Sequence, residues 1–146
     1  MKAIYFDMDG TIANLYKVDG WLEDLQARKV RPYKEAQVML NMSVFARLLN
    51  KLQKKGYVIG VVSWLAKNGT EEYNREVIQA KKEWLSRHLK SVAFDEIHII
   101  EYGTPKETVV NIKDSILFDD EEENRENWKG IAYDVNNIIE ILKELL

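Results

Sequence analysis

The sequence predicts an α/β fold, a parallel sheet with helices on both faces, and three observations carry that reading. Short apolar runs alternate with amphipathic stretches of helical period; parallel neighbours need such crossover connections. Three of the runs end on an acid or a serine, namely Asp7, Ser63 and Asp119. Ligands in open α/β sheets bind beyond the carboxyl ends of the strands, so those three side chains can reach one edge.

The elements follow in order. Residues 2–6 form a strand that stops at Asp7-Met8-Asp9-Gly10-Thr11, where Gly10 permits a tight turn. Residues 12–42 fit no core element and read as an insertion over the site, with a helix candidate at 21–28 between Asp19-Gly20 and Arg31-Pro32. Ser43 is placed to cap a helix with Val44, Phe45, Leu48, Leu49 and Leu52 on one face, closed by Lys54-Lys55-Gly56. Residues 57–62 form the second strand, ending at Ser63, and Trp64 and Asn68-Gly69-Thr70 lead into a helix to about Leu89. On that helix Tyr73, Val77, Ala80, Trp84 and His88 fall within roughly 80° of one another at about 100° per residue.

Residues 96–102 read as the third strand, closed by Gly103, and 106–112 as a short helix after Pro105. Residues 115–118 form the fourth strand, ending in Asp119-Asp120. A helix over 121–128, a strand over 130–133 and a last helix capped by Asn136 or Asn137, with Ile138, Ile141, Leu142 and Leu145 buried, complete the alternation.

Composition narrows the function. The chain has 146 residues, close to the roughly 150 expected of one domain. Its 46% hydrophobic and 31% charged residues exclude global disorder. With no cysteine, disulfides, thiolate metal sites and thiol nucleophiles are excluded. The 21 basic and 24 acidic residues give a net charge of -3, which argues against a binder of long nucleic acid. Asp7 and Asp9 interrupt any leader-like apolar stretch and no run approaches a membrane span, so the expected location is the cytoplasm.

The chemistry-bearing residues are acids. Asp7 and Asp9 can converge from one side of a turn, and Asp119 and Asp120 join them at the same edge. Like charges about 4 Å apart repel by roughly 4 kcal/mol at an effective dielectric near 20, so such a group requires a cation or raised pKa values. A site of oxygen ligands without histidine or cysteine suits magnesium, which is usually held by one or two carboxylates together with a substrate phosphate. The spacing does not make a calcium loop, because Gly comes at position four and Thr at five. The lysines at 51, 54, 55, 81 and 82 are most simply solvated helix faces, although Lys81 lies near the buried edge of its helix. His88 and His98 lack other ligands nearby and read as structural.

Asp7-Met8-Asp9-Gly10-Thr11 resembles the first motif of the haloacid dehalogenase-like (HAD) superfamily, most of whose members are magnesium-dependent phosphotransferases and phosphatases. Ser63 after residues 58–62 resembles the second motif, Lys106 is similar to the family lysine, and Ile116-Leu117-Phe118-Asp119-Asp120 looks like the acidic fourth motif. The resemblance implies a three-layer Rossmann-like sheet as one catalytic domain over residues 1–146, with a small lid at about 12–42. It implies Asp7 as nucleophile, Asp9 as general acid and base with its backbone carbonyl on the metal, and Asp119 and Asp120 as further metal groups. Glu123 or Asn124 would orient them. Ser63 would hold phosphate oxygens and Lys106 would offset transition-state charge, with Lys81 as a rival for the lysine role. The substrate side falls on Gly10, Thr11, Ser63 and Trp64, with Lys67 able to attract a phosphate.

The insertion, the Lys81-Lys82-Glu83-Trp84 stretch and residues 108–120 look like those of 5'(3')-deoxyribonucleotidase-like members, which implies a nucleoside monophosphate substrate. Tyr16, Trp21, Tyr33 and Trp64 are candidates for a base-stacking wall. The alternatives are a phosphatase of other small phosphomonoesters such as sugar phosphates, or a non-catalytic phosphate- or nucleotide-binding module.

Overall fold

A computed structural model describes residues 2–112 and 114–146. The elements run β1 (Ala3–Phe6), β2 (Ala13–Asn14), α1 (Trp21–Gln26), α2 (Arg31–Glu35), β3 (Gln37–Val38), α3 (Met42–Lys54), β4 (Val58–Trp64), α4 (Glu71–His88), β5 (Glu96–Ile100), β6 (Ser115–Phe118), α5 (Glu122–Asn127), β7 (Ile131–Tyr133) and α6 (Ile138–Leu145). Single 3-10 turns lie at Leu15–Lys17 and Lys106–Thr108. No helix among the described residues is long and apolar enough to cross a membrane.

The main sheet has five strands in the order β5-β4-β1-β6-β7, and every pair is parallel. The strand order reverses at β1, so the crevice beyond its carboxyl end is where a ligand is expected. β1 is Ala-Ile-Tyr-Phe and wholly buried, as a central strand covered on both faces must be. Because side chains alternate across a strand, Ile4 and Phe6 enter the larger core with α3, α6 and Trp84 of α4. Ala3 and Tyr5 face the other side, covered by Val109, Val110, Ile112 and Trp128. Gly60 of β4 is required there, since a Cβ would lie 2.7 Å from the Tyr5 ring.

Several boundaries differ from expectation, each for a local reason. The cap of α3 is Asn41, whose Oδ1 accepts from Val44 N at 3.2 Å; Ser43 sits inside the first turn. β4 continues through Ser63 and Trp64 because they pair with Ile99 and Ile100 of β5. The third strand of the sheet stops at Ile100, ahead of the turn at Gly103 (φ +86°). Only one 3-10 turn forms after Pro105, and Val109, Val110 and Ile112 pack on the sheet instead of completing a helix. The insertion holds a second helix, α2, at the Arg31-Pro32 step expected to be a boundary; proline is tolerated in a first turn. It also holds a two-stranded antiparallel ribbon of β2 and β3.

The insertion is fastened to α4. Tyr73 Oη donates to Lys29 O at 2.8 Å, Trp84 Nε1 to Ala36 O at 2.9 Å and Arg87 Nη2 to Lys34 O at 2.8 Å. The face of α4 that was expected to be buried is therefore buried against both the sheet and the insertion at Tyr73, Val77, Ala80 and Trp84, while His88 at its end is half-buried.

Candidate active site

The site grows from the end of β1. After Phe6 the chain turns sharply, and the Met8 carbonyl accepts the amides of Thr11, Ile12 and Ala13, each at 3.0 Å. Gly10 adopts φ +82°, a conformation that costs a side-chain-bearing residue dearly. The turn leaves Asp7 and Asp9 at the strand end, both lining a cavity of about 380 Å³.

Asp7 is held from two sides. Its Oδ1 accepts from Lys106 Nζ at 2.8 Å and its Oδ2 from Thr11 Oγ1 at 3.1 Å. Lys106 also donates to Asp119 Oδ2 at 2.6 Å and lies over the Trp64 ring, 5.4 Å from its centroid. Burial opposes the charge on Lys106, but Asp7 and Asp119 outweigh it and hold the ammonium above the usual lysine range.

Asp119 is fully buried. Its Oδ1 accepts from Glu121 N at 2.9 Å and its Oδ2 also from Asn124 Nδ2 at 3.2 Å, while Arg125 Nη1 donates to its carbonyl at 3.0 Å. Of the two residues expected to orient the acids, Asn124 is the one that reaches them. Oxygens of Asp7, Asp119 and Asp120 lie within 4.8 Å of one another. Burial, then the nearby Asp7 carboxylate, pushes Asp119 up to about 6 and Asp120 up to about 8. Three carboxylates against the one ammonium of Lys106 leave a formal excess of two negative charges. That excess and an all-oxygen donor set fit a hard divalent cation.

The Asp9 carboxylate stands apart from that cluster. Its Oδ2 accepts from Lys81 Nζ at 3.0 Å, and burial raises its pKa more than Lys81 lowers it. Lys81 is only 1% exposed, so reading it as a solvated lysine was wrong: it turns inward to Asp9, to Ser63 Oγ at 2.7 Å and to Trp64 O at 2.7 Å. Both lysines weighed from the sequence thus enter the site, Lys106 on Asp7 and Asp119, Lys81 on Asp9 and Ser63.

The expected substrate contacts separate by position. Trp64 and Lys67 line the cavity. Thr11 is buried and its hydroxyl is spent on Asp7, while the space beside Gly10 is filled by Asp120. Ser63 is buried behind the cavity floor with Lys81. Tyr16, Trp21, Tyr33 and Trp64 all line the cavity, together with Leu15, Leu22, Leu25, Leu65 and Tyr102, which the sequence did not single out. Leu22 and Leu25 lie in the insertion on α1, and the apolar positions of that short helix were the one available signal. Burial, and after it the Asp9 carboxylate, raises the phenols of both Tyr16 and Tyr33.

No family model matches the chain, and no curated protein sequence does. Solved structures match over nearly its full length. One is the D,D-heptose 1,7-bisphosphate phosphatase from Burkholderia thailandensis, with a TM-score of 0.61, 13% identity, and coverage of 99% of this chain and 98% of that one. Another is the D,D-heptose 1,7-bisphosphate phosphatase from B. bronchiseptica complexed with magnesium and phosphate, with a TM-score of 0.65, 13% identity and the same coverage. At that identity the likeness shows a shared fold.

Proposed function

We propose that the chain is a magnesium-dependent phosphomonoester hydrolase of the HAD type, acting through an aspartyl-phosphate on Asp7. The observation that carries this is the placement of Asp7 at the cavity end of β1, between Lys106 and the carboxylates of Asp119 and Asp120. The order of acids, serine and lysine along the chain and the phosphatase names of the fold neighbours support it. On this reading residues 1–146 form one catalytic domain with a small cap at about 12–42.

Asp7, Asp119 and Asp120 would hold the ion together with the Asp9 carbonyl; when bound, magnesium would neutralise the acid cluster and polarise the phosphoryl oxygens. The chain's own groups do the rest. The Asp7 carboxylate attacks phosphorus, the bond to the ester oxygen breaks, and Asp9 gives its proton to that leaving oxygen. Asp9 then takes a proton from water as the water oxygen bonds to phosphorus, and the Asp7–phosphorus bond breaks to restore the carboxylate. Lys106 offsets the charge on nucleophile and phosphoryl group, while Ser63, buried outside the cavity lining, accepts from Lys81 and does not meet the phosphoryl group. Thr11 orients Asp7 and does not contact substrate. Trp64 and Lys67 line the substrate's path.

The neighbours' names favour a sugar phosphate as the substrate class. A nucleoside monophosphate is a second reading, favoured by the aromatic wall of Tyr16, Trp21, Tyr33 and Trp64, since stacking contributes about 1–3 kcal/mol per base. Phosphate release from a panel of sugar phosphates, deoxy- and ribonucleotides and a chromogenic ester, with and without magnesium, tests both levels. Magnesium-dependent release is expected, and the substrate ranking separates the two classes. No release from any ester would leave the non-catalytic binding module in its place.

A further inference from the structure

We propose that Lys81 is a positioning residue that holds the Asp9 carboxyl and the Ser63 hydroxyl in place, so that proton delivery to the leaving group depends on it. The inference rests on the phosphomonoesterase reading above. Lys81 sits on α4 among Val77, Ala80 and Trp84, where an apolar side chain would satisfy packing alone. Burying an ammonium there is costly unless it is fully paired. It is fully paired: its three N–H bonds match three acceptors, Asp9 Oδ2 at 3.0 Å, Ser63 Oγ at 2.7 Å and Trp64 O at 2.7 Å. The Tyr33 ring lies 5.1 Å from Nζ on another side.

With every donor committed, Lys81 has none left for a phosphate, which separates it from an ordinary anion-binding lysine. Its effect passes through its partners. Ser63 Oγ, on β4, accepts from Lys81 and so fixes where the ammonium stands beside Asp9. Lys81 occupies Asp9 Oδ2, which leaves Oδ1 for the ester oxygen: as the phosphorus–oxygen bond breaks, its electron pair stays on the leaving oxygen and takes the Asp9 proton. Lys106 cannot substitute, because its contacts are Asp7 and Asp119. The helix that carries Lys81 is itself fixed, through the hydrogen bonds of Tyr73, Trp84 and Arg87 to the insertion.

The test compares leaving groups. Wild type and Lys81→Met are assayed with magnesium on an alkyl phosphate, whose leaving oxygen needs a proton, and on 4-nitrophenyl phosphate, whose leaving oxygen does not. General acid catalysis typically contributes about a hundredfold or more, so kcat/KM on the alkyl ester, which covers the steps up to transfer of phosphorus to Asp7 and departure of the leaving oxygen, is expected to fall by at least about that factor. On the aryl ester kcat/KM should change by less than about fivefold; kcat itself is expected to fall on both, because Asp9 also activates the water that releases phosphate from Asp7 and that step is common to the two esters. Circular dichroism and melting curves report folding, and Lys81→Gln makes the same comparison if Lys81→Met does not fold. Equal loss of kcat/KM on both esters means a merely structural lysine and overturns the proposal, as does unchanged kcat/KM on both. Wild-type protein that turns over neither ester would instead overturn the phosphomonoesterase reading beneath it.

Discussion

The carboxylate of Asp120 fills the space that a side chain on Gly10 would need: a Cβ there would lie 2.3 Å from Asp120 Oδ2 and 2.9 Å from Tyr16 Cε2. The first acidic turn and the last are thus packed against each other, and the glycine is what lets Asp120 approach Asp7.

Gly10→Ala is therefore expected to damage the site more than the fold. The left-handed backbone (φ +82°) alone costs about 1–2 kcal/mol with a Cβ, readable as a lower urea midpoint at unchanged slope. Displacement of Asp120 should in addition weaken magnesium binding by at least about tenfold, since a change of about 1.4 kcal/mol suffices for that; titration calorimetry measures it. An alanine variant that binds magnesium like wild type would contradict the packing argument.

The acid cluster makes stability depend on pH. Asp119 and Asp120 are raised to about 6 and about 8, so between the usual carboxylate range and pH 8 the folded chain binds more protons than the unfolded one. Stability of the chelated protein should therefore fall as pH rises through that window. Lys106 adds nothing to the slope there, because its ammonium is charged in both states. Melting curves at pH 5 and pH 8 in chelator are expected to show the lower Tm at pH 8, and magnesium should recover most of the difference.

Lys106 joins the two strand ends through Asp7 and Asp119. Removing one partner of a buried ion pair typically costs about 3–5 kcal/mol, so Lys106→Met should melt far below wild type in chelator at pH 8 and approach it at pH 5, where Asp120 and most of Asp119 are protonated. Its kcat/KM should fall by at least about a hundredfold on alkyl and aryl esters alike, unlike that of Lys81→Met. A loss confined to the alkyl ester would exchange the two lysines' roles.

Much of this arrangement was legible in the chain. Asp7 and Asp119, each directly after its strand, announced one edge, because strand length and the apolar-to-polar break are local properties; Ser63 lies inside β4, whose last residue is Trp64. Lys81 was less legible: a lysine at the rim of an amphipathic helix reads the same whether it points to water or inward, and only the long-range meeting of α4 with Asp9 and Ser63 decides it. The roles of Gly10 and Thr11 depended likewise on partners brought in by the fold. Asn41 capping in place of Ser43 is a smaller case, since both residue types serve as caps and the backbone selects one. Residues 12–42 broke the α/β alternation in the sequence, but the second helix among them was hidden by a proline that closes some helices and opens others.

The central claim is that Asp7 attacks phosphorus with magnesium in the site. The most direct measurement is phosphate release by wild type and Asp7→Asn, each with magnesium and after chelation, on whichever ester the wild type hydrolyses best. Release should stop on chelation and return with magnesium, and in Asp7→Asn it should fall by at least about a thousandfold, because the variant lacks the nucleophile. Turnover by Asp7→Asn at the wild-type rate, or wild-type turnover that survives chelation, would contradict the account.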